Sequence, residues 1–350
     1  MSDPWPRARP AVPATARLRA CAEDFQVDER LGFTPSGEGE HLFLRLRKRG
    51  LSTAEVAGRV ARWAAVAPAA VGYSGRKDRR AVATQWFSVQ LPGRADPDPA
   101  RLADGRSLVV LDLRRHERKL RRGVHRGNAF RLVLRDLCAR GADGRAALAA
   151  RLGDIARRGV PNYFGEQRFG DGFGNLAQAR AWRDGQRRAG GRGRRGMLLS
   201  ALRANAFNTL LAARVRAGTW ESPGPGDVCL LAGTRSVFRH AGEAGLSARA
   251  ASGDLHLALP LPGAGERLES DAVRAAQDAV LAPLAADLAW LERQRLTLAY
   301  RAARALPGDF AWDFCEDEAL QVSFTLAAGS YATTVVAELV SYSHGERAGP

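Results

Sequence analysis

Leu42, Leu44 and Leu46 alternate with Phe43, Arg45 and Arg47, the two-residue period of a half-buried strand. The pattern predicts strands over residues 23–30 and 41–47, with Ser36-Gly37-Glu38-Gly39 turning the chain between them. Ser52-Thr53-Ala54-Glu55 is a capping box that opens a helix, and Val56, Val60 and Trp63 then fall on one helical face. Strand character returns over 84–91 and 107–113. Gly127-Asn128-Ala129-Phe130 leads into a further strand that carries Phe130, Leu132 and Leu134 on one side. Leu148, Leu152 and Ile155 define a helix that stops near Gly159.

From about residue 165 to 300 the period is mainly helical. Helices are expected over 199–216 and 270–293, the second with Val273, Val280, Leu284, Leu288 and Leu291 as its buried stripe. A Gly/Pro-rich portion with short strands separates them. Val322, Phe324 and Leu326 alternate again, and a helix is expected over 331–340. Strands at both ends of a helical middle predict an α+β sheet domain interrupted by an insertion. No internal repeat is visible, and low complexity is confined to 189–196. Residues 1–14, rich in Pro, Ala and Arg, read as a frayed tail rather than a signal peptide.

Composition narrows the choice of partners. The chain has 350 residues, is 45% hydrophobic and carries a formal net charge of +16. It can afford a sizeable core, and its charge excess points to a polyanion, most often nucleic acid. Only Lys48, Lys77 and Lys119 are lysines, so arginine carries nearly all the positive charge. The four cysteines lie far apart without a CxxC pair, and the six histidines show no ligand spacing. No metal is expected, and a reduced, cytoplasmic setting fits. No apolar stretch reaches the ~20 residues a membrane helix needs. No P-loop or dinucleotide fingerprint follows a strand, which argues against nucleotide-cofactor chemistry.

Three segments could carry chemistry. In Gly75-Arg76-Lys77-Asp78-Arg79-Arg80 one carboxylate sits among four cations. Such an acid stays ionised and suits nucleophilic attack or proton abstraction. The same residues also suit an ordinary turn aspartate that pairs with its neighbours. Residues 159–170 set three aromatics among glycines, amides and Arg168. They read either as a base-stacking loop or as core at a domain junction. Phe130 is either the first core residue of a strand or an aromatic wall for a flipped base, with Asn128 offering amide contacts. The basic runs at 114–122 and 187–195 would engage phosphates or simply face solvent.

Together these segments resemble the TruD family of tRNA pseudouridine synthases along nearly the whole chain. The resemblance rests on Glu23 to Glu29, Pro35 to His41, Gly75 to Arg79 through Gln85-Trp86-Phe87, and Arg118 to Gly123 with Gly127 to Phe130. Val160 to Gly170 is its most specific part; Arg203 to Asn208 and Gly329 to Thr333 complete it. It implies a pseudouridine-synthase domain with a mixed, largely antiparallel sheet over 15–160 and 303–350, and a mainly helical inserted domain over 161–302. It implies isomerisation of uridine at position 13, in the D-arm of tRNA; that rearrangement adds and removes nothing and so needs no cofactor, and a monomer is expected. Asp78 would be catalytic. Phe130, Asn128, Lys77 and Arg19 would bind the uridine, with Arg19 standing where a lysine is usual. Arg118, Lys119, Arg121, Arg122 and Arg168 would bind RNA. Ala337 stands where an arginine is frequent and is given no role. The rivals are a non-catalytic RNA-binding protein or tRNA folding chaperone, which would not need Asp78, and a methyltransferase, which would need a cofactor.

Overall fold

The computed structural model describes residues 5–9, 11–316 and 318–345. The chain forms two compact units. One comprises residues 13–148, 307–329 and 340–350; the other comprises 1–12, 149–306 and 330–339.

The first unit is built on a ten-stranded mixed sheet. Its main path runs Gly308–Cys315, Ala319–Ala327, Gly127–Ala139, Phe25–Arg30, Val82–Gln90, His41–Arg49, Leu108–His116. Most neighbours are antiparallel. Phe25–Arg30 runs parallel to Val82–Gln90, and Ala14–Leu18 runs parallel to Ser341–His344. The strand His41–Arg49 is more deeply set than its half-buried pattern predicts. Leu42, Leu44 and Leu46 pack with Val56 and Val60 of the helix Thr53–Trp63. On the opposite face Phe43 packs with Leu31, Trp86 and Leu120. Each such leucine contributes ~1.5–3 kcal/mol by leaving water. The helix starts where its sequence says: Ser52 Oγ accepts from the Glu55 amide at 3.2 Å, and Glu55 accepts from the Ser52 amide at 2.6 Å.

The strand Gly127–Ala139 organises this unit because three strands pair with it. Register sets Asn128 opposite both Glu29 and Leu326, and Phe130 opposite both Val27 and Phe324. Gly127 is required by proximity: a Cβ there would stand 2.4 Å from the Leu326 carbonyl oxygen. The strand Gly308–Cys315 is not among the expected elements, although Phe310, Trp312 and Phe314 alternate within it. It is mostly exposed, so its apolar period is not matched by burial.

The second unit contains the sheet Val237–Arg239, Val228–Leu231, Leu255–Leu261, Ala299–Ala302 and most of the helices. Its central helix, Arg192–Arg216, begins earlier than expected and takes in part of the Gly/Arg segment. The expected helix over 270–293 is broken into Asp271–Leu281, a short turn and Ala285–Glu292. Pro283 lies in that turn, where a helix would need the amide that proline lacks. The buried stripe also includes two polar residues. Gln277 accepts from Arg267, and Asp287 accepts from Arg180 and Arg183. In the same unit Trp5 stacks on Tyr163 at 6.0 Å, and Arg9 pairs with Asp154 at 2.5 Å. The described part of the N-terminal segment is therefore anchored rather than frayed; Met1 to Pro4 and Pro10 lie outside the described residues.

Candidate active site

Asp78 lies in the loop between the strands Val71–Tyr73 and Val82–Gln90. Its carboxylate is one-fifth exposed and stands 2.8 Å from Arg19 Nη2. The Arg80 amide donates to its Oδ1 at 3.1 Å. Arg19 follows the strand Ala14–Leu18 in a left-handed conformation, with φ of 62°. Its guanidinium lies 4.1 Å from the centre of the Phe25 ring. Burial lowers the Arg19 pKa, and Asp78 opposes that effect.

The loop is fixed from beneath by buried polar groups. The Lys48 ammonium donates to the carbonyls of Leu51 and Asp78, both at 2.7 Å. Thr53 Oγ1 accepts from the Lys77 amide at 2.9 Å and donates to Gln85 at 3.0 Å. Gln85 in turn donates to the Gly75 carbonyl at 2.6 Å. Lys48 is 1% exposed, and burial pushes its pKa down to about 8, against the pull of Asp78.

Lys77 points elsewhere. Its ammonium stands 2.9 Å from Glu29 Oε2 and donates to Asn128 Oδ1 at 2.5 Å. Glu29 Oε1 also accepts from the Trp86 amide at 3.3 Å. Asn128 and Phe130 are two residues apart on one strand, so they share a face. Phe130 meets Phe25 edge-on at 6.2 Å and Phe324 at 5.5 Å. A closed circuit results: Asp78 to Arg19, Arg19 to Phe25, Phe25 to Phe130, Asn128 to Lys77, and Lys77 to Asp78 through the chain.

The structure thus brings Asp78, Arg19, Lys77, Asn128 and Phe130 together within one unit. Arg118, Lys119, Arg121 and Arg122 belong to the same unit, on the segment after the strand Leu108–His116. Arg122 lies over Tyr73 at 5.5 Å, and Lys119 donates to the Ala69 carbonyl. Arg168 belongs to the other unit, where it donates to Tyr331 Oη at 3.0 Å and Ser200 Oγ at 2.9 Å. Tyr163, Phe164 and Phe169, the aromatics of that segment, are buried in its core. Ala337 is also buried.

Sequence reasoning missed Lys48, Glu29, Thr53, Gln85 and Phe25 as parts of the site. For Lys48 a signal existed. Position 48 continues the inward series 42, 44, 46, where a lysine is out of place unless it serves carbonyls inside.

The model of the family described as tRNA pseudouridine synthase D (TruD) matches residues 11–175 and 192–339. The chain belongs to the TruD family. A tRNA pseudouridine synthase D from Azotobacter vinelandii is 45% identical over 96% of this chain and 94% of that protein. One from Methylococcus capsulatus is 44% identical over 97% and 95%. A solved structure carrying the TruD name, from Methanosarcina mazei, superposes with a TM-score of 0.70 at 20% identity, covering 97% of this chain and 96% of its own. That likeness shows the TruD fold, a mixed and largely antiparallel sheet with helices. Among the described residues no helix is long and apolar enough to cross a membrane.

Proposed function

We propose that Asp78 is the group with which this TruD-family enzyme isomerises uridine to pseudouridine at position 13, in the D-arm of tRNA. The observation that carries the proposal is the circuit through Asp78, Arg19, Phe25, Phe130, Asn128 and Lys77. It holds one carboxylate, one amide and one aromatic ring against a rigid sheet, with the cations needed for an anionic substrate.

Uridine cannot react inside a stack, so it is flipped out at a cost of a few kcal/mol. Phe130 receives the base. Asp78 breaks the C1′–N1 bond, by attack at C1′ or by removal of the C2′ proton. The freed uracil turns within the site and C5 bonds to C1′ as Asp78 either leaves C1′ or returns its proton to C2′; the C5 proton then leaves and N1 gains one. Product and substrate have the same composition, so the balance requires no co-reactant. Arg19 holds the carboxylate oriented, and Lys48 fixes the backbone beneath it.

The test is incubation of the purified chain with unmodified tRNA in plain buffer, followed by carbodiimide mapping. Pseudouridine at position 13 is expected from the wild type. Asp78→Asn should still bind tRNA with the rate reduced by at least ~10²–10⁴-fold. Full turnover by that variant removes Asp78 from the chemistry, and modification elsewhere in the tRNA removes position 13. A primary deuterium isotope effect at C2′ in single-turnover reactions identifies the proton-abstraction route; a small secondary effect alone identifies attack at C1′.

A further inference from the structure

A concave site lies in the same unit as Asp78. It is a cavity of about 700 Å³, lined by Phe33, His41, His116, Arg118, Arg121 and Val124 among others. Its walls combine exposed apolar side chains, a buried imidazole nitrogen and exposed cations. Phe33 is 36% exposed and Val124 45% exposed, two large apolar side chains left open to water. Phe33 lies flat against His116, with ring centres 5.3 Å apart, and edge-on to Phe43 at 6.2 Å. The backbone amide of Ser36 donates to His116 Nδ1 at 3.2 Å, which fixes that imidazole as an acceptor on this side. His41 is 7% exposed, and its Nδ1 is buried without a hydrogen-bond partner. Arg118 and Arg121 are exposed on the rim. An aromatic stack beside exposed guanidinium groups matches the two parts of a nucleotide, a flat base and a phosphate.

The lining of the cavity includes none of Asp78, Arg19, Lys77, Asn128 and Phe130. His41 opens the strand His41–Arg49, and Lys48, which holds the Asp78 carbonyl, is at its other end. His41 and Lys48 therefore lie roughly 23 Å apart along that strand. The segment that carries Arg118 and Arg121 is tied to the Asp78 loop and to the strand that follows it. The Gly123 amide donates to the Ser74 carbonyl at 2.7 Å, and the Leu120 amide donates to Ser88 Oγ at 3.0 Å. A Cβ on Gly72 would stand 2.4 Å from the Leu120 carbonyl oxygen, so the basic segment lies directly on the strand that leads to the Asp78 loop.

We propose that this cavity is a second nucleotide subsite: it takes one unpaired nucleotide of the RNA substrate, base against Phe33 and His116, phosphate on Arg118 and Arg121. The inference rests on the proposed function for the identity of the RNA, and it adds a contact outside the residues assigned to the reacting uridine. Such a contact anchors the tRNA and sets the distance at which a uridine is presented to Asp78.

The full chain is tested with two readouts. Steady-state pseudouridine formation on unmodified tRNA gives kcat and KM. Fluorescence anisotropy of labelled hexauridylate gives single-strand affinity. Phe33→Ala should raise KM and weaken hexauridylate by about tenfold, the usual loss when a base-stacking ring is removed. Its kcat should stay within about twofold of the wild type, and Phe33→Trp should restore KM; a purely structural role predicts neither the split nor the rescue. Unchanged KM and unchanged hexauridylate binding in Phe33→Ala overturn the subsite, as does displacement of hexauridylate by hexaglutamate as effectively as by unlabelled hexauridylate. The two proposals fail separately. A wild type that makes no pseudouridine yet loses hexauridylate on Phe33→Ala removes the Asp78 chemistry and keeps the subsite. Pseudouridine formed by Phe33→Ala at wild-type KM does the reverse.

Discussion

Arg19 Nη2 stands 2.8 Å from Asp78 Oδ2, although the cations adjacent to Asp78 in sequence are Lys77 and Arg79. Lys77 is engaged with Glu29 and Asn128, and Arg79 donates to the Gly50 carbonyl at 2.9 Å. The carboxylate is therefore oriented by a group from a distant strand. The Arg80 amide adds a local contact to the carboxylate, while the Lys77 and Arg79 side chains are engaged elsewhere.

Arg19→Ala should lower kcat and also stability, because it leaves a largely covered carboxylate without its guanidinium. Breaking a buried pair costs ~3–5 kcal/mol, and partial exposure of this one places it at the low end or below. Arg19→Lys should recover part of kcat, since charge is kept while the stacking on Phe25 is lost. Equal kcat in Arg19→Ala and wild type, measured on tRNA, removes the orienting role.

Phe130 is 9% exposed and touches Phe25 and Phe324, so its truncation acts on fold and substrate together. Phe130→Ala should destabilise by ~3–5 kcal/mol as a core truncation. Phe130→Leu separates the effects. It keeps most of the volume, should cost under ~1.5 kcal/mol in stability, and should still lose about 1–3 kcal/mol of base stacking. Urea unfolding and kcat/KM measured on the same samples decide; a Phe130→Leu enzyme with wild-type kcat/KM shows that the ring does not meet the base.

Lys48 makes stability depend on alkaline pH. Its pKa is near 8 in the folded chain and near the ordinary lysine value once unfolded. Between those values the unfolded chain binds more protons, so unfolding free energy rises as pH rises. Below pH 8 the cost of burying the charged amine is fully present; it is relieved between about pH 8 and 10.4, by ~3 kcal/mol. Lys48→Met should flatten that limb in a pH series of urea melts. An identical limb in the variant shows that another group titrates there.

Replacing Arg118, Arg121 and Arg122 by Gln should weaken tRNA binding and flatten its salt dependence. Each lost phosphate contact removes about 0.7–0.9 from the slope of log K against log salt. Arg122 also lies over Tyr73, so its single variant should show the smallest change. Filter binding from 50 to 200 mM salt measures it, and an unchanged slope means these side chains do not reach phosphate.

Several elements are legible from neighbouring residues alone. The leucine alternation at 42–46 and the capping box at Ser52 depend on positions a few residues apart, and the strand and helix lie where those patterns place them. Asp78 stands out because a carboxylate among cations is a local feature too. Pro283 also marks a break, but the apolar stripe continues through it and masks the break. The strands Ala14–Leu18 and Ser341–His344 are not legible; each is short and is stabilised by the other from the far end of the chain.

Alone, the sequence determined the α+β class, the family and the acid around which the chemistry is proposed. Those follow from local periodicity, charge and ordered motifs. Only tertiary structure decided which cation orients Asp78, that Lys77 serves Glu29 and Asn128, and that Lys48 supports the loop from inside. The reason is strand register. Pairing between segments far apart in the chain fixes Asn128 opposite Glu29 and Leu326, and Phe130 opposite Phe324, and no local pattern encodes those partners.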